Sequence, residues 1–168
     1  MVGRYFVNFD SIKFVVSEID GVVTEHLAGL GELNTVLFKQ FCLKDFEAIN
    51  LIKHNWGFAF LSSEAVINLS LCKKRNIPFF HAEKNKLSVF KNLIQRYNIT
   101  PDDVLYIGSS YSDTSCAKLA GISMCPEDGV PQMKNIVDRV IPVYSGTGVL
   151  CYVYEVLDEC RLKKNREE

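Results

Sequence analysis

The chain is short of every feature that would direct it to a membrane, a nucleic acid or an oxidising compartment. No stretch approaches the ~20 consecutive apolar residues that span a bilayer. Met1 to Asp10 has no apolar core of signal length, being interrupted by Arg4, Asn8 and Asp10. Neither charge sign dominates: 19 basic residues face 20 acidic ones, a formal charge of -1, which leaves no electrostatic footprint for nucleic acid or anionic lipid. The one basic cluster, Arg161, Lys163, Lys164 and Arg166, is followed by Glu167 and Glu168 and reads as a solvated helix end. Cys42, Cys72, Cys116, Cys125, Cys151 and Cys160 form no C-x-x-C pair and no ligand spacing with a histidine. They read as reduced thiols packed as small hydrophobes, so the expected location is cytoplasmic. Internal repeats, low-complexity tracts and linkers are lacking as well.

What is there describes one globular unit. With 168 residues, 48% of them hydrophobic, the chain suits a single domain over 1–168, with an N-terminal extension at 1–11 and a tail from about 163 to 168. Its organising stretch runs from Ile12 to Thr24. A short, largely β-branched run, Phe14-Val15-Val16, leads into Glu18-Ile19-Asp20-Gly21. This reads as a buried strand of a parallel sheet that delivers two carboxylates just past its carboxyl end, where open α/β sheets place their ligands. Residues i and i+2 point the same way in extended chain, so Glu18 and Asp20 are expected to face one pocket.

Further strands are predicted at Phe58–Leu61, Phe79–His81, Val104–Ile107, Ile122–Met124 and Val140–Val143, with Pro142 marking an edge. Leu33–Leu43 predicts one or two hairpin strands. Helical spacing predicts helices over 45–54, 65–74, 84–97, 112–119 and 130–135, and a closing helix from about 149 to 162. This alternation predicts a doubly wound, Rossmann-like parallel α/β domain with a small β-hairpin insertion after the first strand. Three strands end in polar stretches, Ser17 to Asp20, Ser62 to Glu64 and Ser109 to Asp113, which puts one site at the carboxyl edge. His26, His54 and His81 are too scattered to share a metal.

Five motifs in order resemble the haloacid dehalogenase superfamily, and within it the capless family of 3-deoxy-D-manno-octulosonate 8-phosphate phosphatases. They are Glu18-Ile19-Asp20-Gly21-Val22-Val23-Thr24-Glu25, Ser62-Ser63-Glu64, Asn85-Lys86, Gly108-Ser109-Ser110-Tyr111-Ser112-Asp113, and Ser145 to Tyr152. The resemblance implies a nucleophile at position 18, an acid/base at Asp20, phosphate contacts from Ser62, Lys86 and the Gly108 loop, and a retained pocket residue or helix-end charge at Asp45. It implies Mg²⁺ held by the nucleophile, a backbone carbonyl and a fourth-motif aspartate.

Several positions depart from that pattern. Glu18 stands for the family's aspartate and is one methylene longer, a change that can cost on the order of 10²-fold in rate if it misplaces the attack by about 1 Å. Ser109 and Ser110 stand where the family has aspartates, leaving Glu18, Asp20 and Asp113 as the metal-facing carboxylates. Glu64 and Cys151 replace family arginines, and Glu64 is expected to add negative charge at the pocket mouth. The run Gly108 to Pro126 is similar to the phosphatase-like C-terminal module of N-acylneuraminate cytidylyltransferases, understood as an oligomerising domain.

Three readings follow. The first is a phosphatase-inactive protein with a structural, oligomerising role in acidic-sugar metabolism, needing no cofactor. It would form a homo-oligomer, a tetramer through the hairpin of residues 25–41, and pair with a sugar-activating enzyme such as a cytidylyltransferase. The second is an active Mg²⁺-dependent sugar-phosphate phosphatase working through Glu18. The third is a sensor that binds an acidic sugar or its phosphate without turnover.

Overall fold

The computed structural model describes residues 7–167. Residues 1–6 of the expected extension and Glu168 of the tail lie outside the described residues. The described residues form eight strands: β1 (Phe14–Ser17), β2 (Gly29–Leu30), β3 (Val36–Phe38), β4 (Gly57–Ser62), β5 (Phe79–His81), β6 (Val104–Ile107), β7 (Ile122–Pro126) and β8 (Arg139–Ile141). The helices are α1 (Leu43–Asn55), α2 (Val66–Arg75), α3 (Lys86–Arg96), α4 (Thr114–Leu119), α5 (Pro131–Lys134) and α6 (Val149–Glu167).

Six strands form one sheet in the order β5-β4-β1-β6-β7-β8, every pairing parallel. The first strand of the chain is thus central, with Phe14 facing Gly57 on one side and Val104 on the other. Chain order reverses around β1, and the crevice beyond its carboxyl end is where such sheets hold ligands. The doubly wound α/β expectation holds.

Alternation along the strands divides the core in two. Val15, Phe58, Phe60, Leu105 and Ile107 face α1 and α6 through Phe46, Ile49, Ile52, Val149, Val153 and Leu157. Phe14, Val16, Ala59, Leu61, Val104 and Tyr106 face α3 and α4 through Phe90, Leu93, Cys116 and Ala117. Burying each large aliphatic or aromatic side chain contributes about 1.5–3 kcal/mol, so both faces of the sheet are held at full strength. Trp56 and the aromatic strand residues pack on these cores, as expected.

Several boundaries differ from the sequence reading, among them β8, which ends at Ile141 before Pro142. The insertion is a hairpin of β2 and β3, antiparallel, whose turn contains Leu33 and Asn34 at φ 63 and 57. Leu33 therefore bends the chain rather than extending it. At the other end α6 runs on through Lys163, Lys164 and Arg166, which are good helix formers and favourably placed for the helix dipole at a C-terminus. Among the described residues no helix is long and apolar enough to cross a membrane.

Candidate active site

The inner part of the site is built on a buried lysine. Glu18 follows β1 directly and is 4% exposed. Its Oε1 accepts the Ile19 N–H at 2.9 Å, and its Oε2 takes an ion pair from the Lys86 ammonium. Lys86 opens α3, where the Asn85 side chain caps the helix by accepting the Ser88 N–H at 2.9 Å. The Asn-Lys pair thus does two jobs: one residue starts the helix and the next points a cation into the crevice. The same ammonium reaches Asp113 Oδ1 at 2.7 Å.

Asp113 is fully buried, and its oxygens are saturated. Oδ1 also accepts the Tyr106 hydroxyl at 2.7 Å, while Oδ2 accepts Ser109 N–H, Ser110 N–H and Ser110 Oγ–H at 3.0, 2.9 and 2.9 Å. Burial works against its charge, but Lys86 and these donors outweigh burial and hold its pKa low. Glu18 goes the other way: burial, against the pull of Lys86 and with the push of Asp113, raises it to about 7. Burial alone would lower Lys86, and the two carboxylates raise it instead.

The outer part centres on a second lysine, Lys39, from the segment that follows β3. Its ammonium lies 2.7 and 2.9 Å from the Asp20 oxygens, 3.0 Å from Glu64 Oε2 and 3.2 Å from Asn68 Oδ1. Asn68 donates in turn to Asp20 Oδ2 and Ser62 Oγ at 3.0 and 3.1 Å. Ser62 Oγ, at the end of β4, is 3.5 Å from Asp20 Oδ2 and also borders Glu18. The two motif carboxylates therefore lie on either side of Ser62, each with its own lysine.

This corrects the expectation for Glu64. It does not stand as a loose negative charge at the mouth: it pairs with Lys39, and its Oε1 accepts the Val66 N–H at 2.6 Å at the start of α2. Burial would raise its pKa, but the ammonium and these N–H groups lower it.

Two other expected phosphate contacts lie elsewhere or are already engaged. Asp45 Oδ1 accepts Leu150 N–H and Cys151 N–H at 2.8 and 3.1 Å, so it ties α1 to the start of α6. Its Oδ2 is buried without a hydrogen-bond partner, and burial raises its pKa. The Gly108 N–H donates to the Met124 carbonyl at 3.2 Å, leaving none of the Gly108–Ser110 N–H groups pointing free for an anion. Gly108 has to be glycine here because a Cβ would collide with the Asp113 side chain.

A third cluster sits where β1 and β6 release their loops. Gly21 adopts φ +82, and a Cβ on it would overlap the His26 imidazole and Ser109 Oγ. Ser109 Oγ lies 2.9 Å from His26 Nε2, a hydrogen bond whose donor depends on the tautomer, and it donates to the Asp20 carbonyl at 3.4 Å.

These facts test the fit of a divalent cation. Both Asp113 oxygens accept hydrogen bonds and the Asp20 carboxylate is paired with Lys39, so both expected metal ligands are already engaged in this structure. Among the described residues no three His, Cys, Asp or Glu side chains are arranged as a metal cage. Ser109 Oγ links His26 Nε2 and the Asp20 carbonyl in one hydrogen-bonded chain. Charge favours a cation: among the described residues Glu18, Asp20, Glu64 and Asp113 pair only with Lys39 and Lys86. With those carboxylates engaged, a cation here would have the neutral Asp20 carbonyl and Ser109 Oγ beside it in their place.

Lys39, Asn68, Tyr106 and His26 were missed in the sequence. Lys39 lies in the run Phe38-Lys39-Gln40-Phe41, expected to be strand, and no local signal marks it as buried. Tyr106 reads as an ordinary strand aromatic. A lone histidine after Thr24-Glu25 carries no ligand spacing.

Comparison with known proteins shows the family and the fold. Residues 45–153 match the family model described as haloacid dehalogenase-like hydrolase. A 3-deoxy-D-manno-octulosonate 8-phosphate phosphatase of Salmonella typhi is 24% identical over 151 residues, covering 88% of this chain and 80% of that protein. Among solved structures, the cobalt-bound deoxy-D-mannose-octulosonate 8-phosphate phosphatase of Haemophilus influenzae superposes with a TM-score of 0.85 at 24% identity, covering 92% of this chain and 91% of that one. The corresponding phosphatase of Moraxella catarrhalis, in complex with magnesium, phosphate and KDO, gives a TM-score of 0.83 at 18% identity over 91% and 89% of the two chains.

Proposed function

This chain belongs to the haloacid dehalogenase-like hydrolases, and from that premise we propose that it hydrolyses a phosphomonoester of an acidic sugar, of the 3-deoxy-octulosonate 8-phosphate type. The observation that carries the reading is the placement of Glu18 and Asp20 on either side of Ser62, with Lys86 paired to Glu18. The names borne by its relatives support the same chemistry. They favour it over the expectation of a chain without catalysis.

A Glu18 oxygen attacks phosphorus and forms an acyl phosphate as the P–O bond to the sugar breaks. Asp20 gives its proton to the departing sugar oxygen, then takes one from the water that attacks the acyl phosphate and releases inorganic phosphate. Lys86 orients Glu18 and faces the charge that develops on the phosphoryl oxygens. For the proton transfers Lys39 must loosen its hold on Asp20. The expectation that no cofactor is used finds no support, since a relative is described with magnesium bound. A divalent cation beside the Asp20 carbonyl would offset the repulsion between a phosphate dianion and these carboxylates.

A second reading, recognition of the sugar phosphate without turnover, is favoured by the extra methylene of Glu18 and the engagement of every N–H in the Gly108–Ser110 loop. Hydrolysis of p-nitrophenyl phosphate and of 3-deoxy-octulosonate 8-phosphate, with and without divalent ions, separates the two. Turnover that disappears in Glu18→Ala is expected. Thermal stabilisation by the sugar phosphate with no turnover would replace hydrolysis by recognition.

Self-association through the hairpin is part of the proposal. Leu27, Leu33, Leu37 and Phe38 are 74%, 96%, 63% and 59% exposed, an apolar surface that a second copy would cover. Light scattering should give a mass above 19.0 kDa, and Leu33→Asp with Leu37→Asp should lower it. A wild-type monomer would remove this part. A partner such as a cytidylyltransferase stays a proposal by analogy with similar modules.

A further inference from the structure

The amino end of the sheet carries a groove that the hydrolytic scheme does not use. Strand β5 is the last strand on one side of the sheet and is hydrogen-bonded to β4 alone. The Pro78 carbonyl accepts the Phe60 N–H, and the Ala82 N–H donates to the Ser62 carbonyl, each at 2.9 Å. Alternation in a parallel ladder then turns the main-chain groups of Phe79 and His81 outward, away from β4. Beside the start of β5 lies a groove of about 670 Å³, walled by Leu69 and Lys73 of α2 and by Arg96 and Tyr97 at the end of α3. Leu69 and Tyr97 are 38% and 37% exposed. Three cations line the groove, Lys53, Lys73 and Arg96, and no acidic side chain does. Among the described residues none of the three is in an ion pair.

We propose that this groove and the free edge of β5 dock an extended acidic segment of a partner protein, which adds to the sheet as a short strand. Main-chain bonds to Phe79 and His81 hold its backbone. Its carboxylates meet Lys53, Lys73 and Arg96, and its apolar side chains cover Leu69 and Tyr97. A second copy of this chain is the wrong occupant, because the same edge would bring like charges together. A compact anion such as phosphate also fits poorly. The three cations stand in the last turns of α1, α2 and α3, where the helix carbonyls form the negative ends of three dipoles. Phosphate would have to settle against those carbonyls, whereas a carboxylate carried on a strand needs to reach only the tips of the long cationic side chains. The groove lies at the opposite end of the strands from Glu18 and Asp20, so the proposal stands apart from the phosphatase reading.

The test is selection on the full chain from a displayed library of random peptides about eight residues long, followed by fluorescence anisotropy of the most enriched peptide. Enriched peptides should alternate Asp or Glu with β-branched or aromatic residues. Lys73→Glu combined with Arg96→Glu should weaken the labelled peptide at least about tenfold, with circular dichroism confirming the fold. N-methylation of every second peptide amide should abolish binding in one phase of the alternation and spare it in the other, as a strand bonded along one edge requires. Enriched peptides without acidic bias, no enrichment at all, or affinity unchanged by the charge reversal would each overturn the proposal. Binding that ignores N-methylation in both phases, and that a short oligonucleotide displaces equally well, would overturn it too by making the groove an anion patch.

Discussion

Two lysines serve two sets of carboxylates at the same sheet edge, and they do so in different surroundings. Lys86 lies between Glu18 and Asp113, all three nearly or fully buried. Lys39 is as deeply placed, its side chain 4% exposed, but its partners Asp20 and Glu64 are 30% and 23% exposed. The inner lysine compensates charges that water cannot reach. The outer one arranges charges that water already screens in part. The same pairing of side chains therefore has a structural weight inside and a tuning role at the rim.

Removing Lys86 should break the comparison most violently. Lys86→Met leaves two buried carboxylates facing each other, and breaking such a pair costs about 3–5 kcal/mol, measured as a shift in the urea midpoint with unchanged slope. A loss below about 1 kcal/mol would mean that water reaches the inner site and the contrast is unreal.

The next effect is in pH. The folded-state pKa of Glu18 is raised from 4.5 to about 7, so the folded chain binds this proton more tightly than the unfolded one. The stability this contributes is full below about pH 4.5 and is lost as pH rises through about 7, by at most about 3 kcal/mol. Glu18→Gln should flatten that slope in thermal unfolding scans between pH 4.5 and 8. If hydrolysis occurs, its metal-free rate should fall about tenfold per unit below pH 7, because only the carboxylate attacks. A rate limb near 4.5 would show that Glu18 is better solvated than its burial implies.

Lys39→Met should cost less, about 1–2 kcal/mol, and should change activity more than stability. It frees Asp20 from two hydrogen bonds, so a change in turnover or in sugar-phosphate binding is expected. The smallest effect should come from Glu64→Gln, which keeps an acceptor for the Val66 N–H and loses only the ionic part of the Lys39 contact. A change well under 1 kcal/mol is expected, and a larger one would place Glu64 with the inner group.

Much of this arrangement could be read from the chain alone, for reasons that are local. Val15 and Val16 before Glu18, and Phe58 to Leu61 before Ser62, are apolar runs stopped by polar residues, which fixes buried strands and their carboxyl ends. Asn85 announces the start of α3 and hence the direction of Lys86. What escaped was the closing of charges across sequence distance. Lys39 and Glu64 meet from two loops, and neither sequence neighbourhood records the other. Asp113 looked available as a metal ligand because the residue that most clearly occupies it, Tyr106, reads as a strand aromatic packed in the core. The turn at Leu33-Asn34 was missed because leucine so rarely takes a left-handed conformation.

The central position of the first strand also bears on synthesis. Phe14 pairs with Gly57 and with Val104, so β1 waits for a second neighbour that emerges ninety residues later (104 − 14). At about 5–20 residues per second that is a delay of roughly 5–20 s, during which one edge of a hydrophobic strand stays unpaired beside an incomplete core. Long-range parallel pairing is slow to close even in the finished chain. The strand that delivers Glu18 and Asp20 is therefore made before its partners and secured late, and the nascent protein passes through its most aggregation-prone stage before that sheet edge is complete.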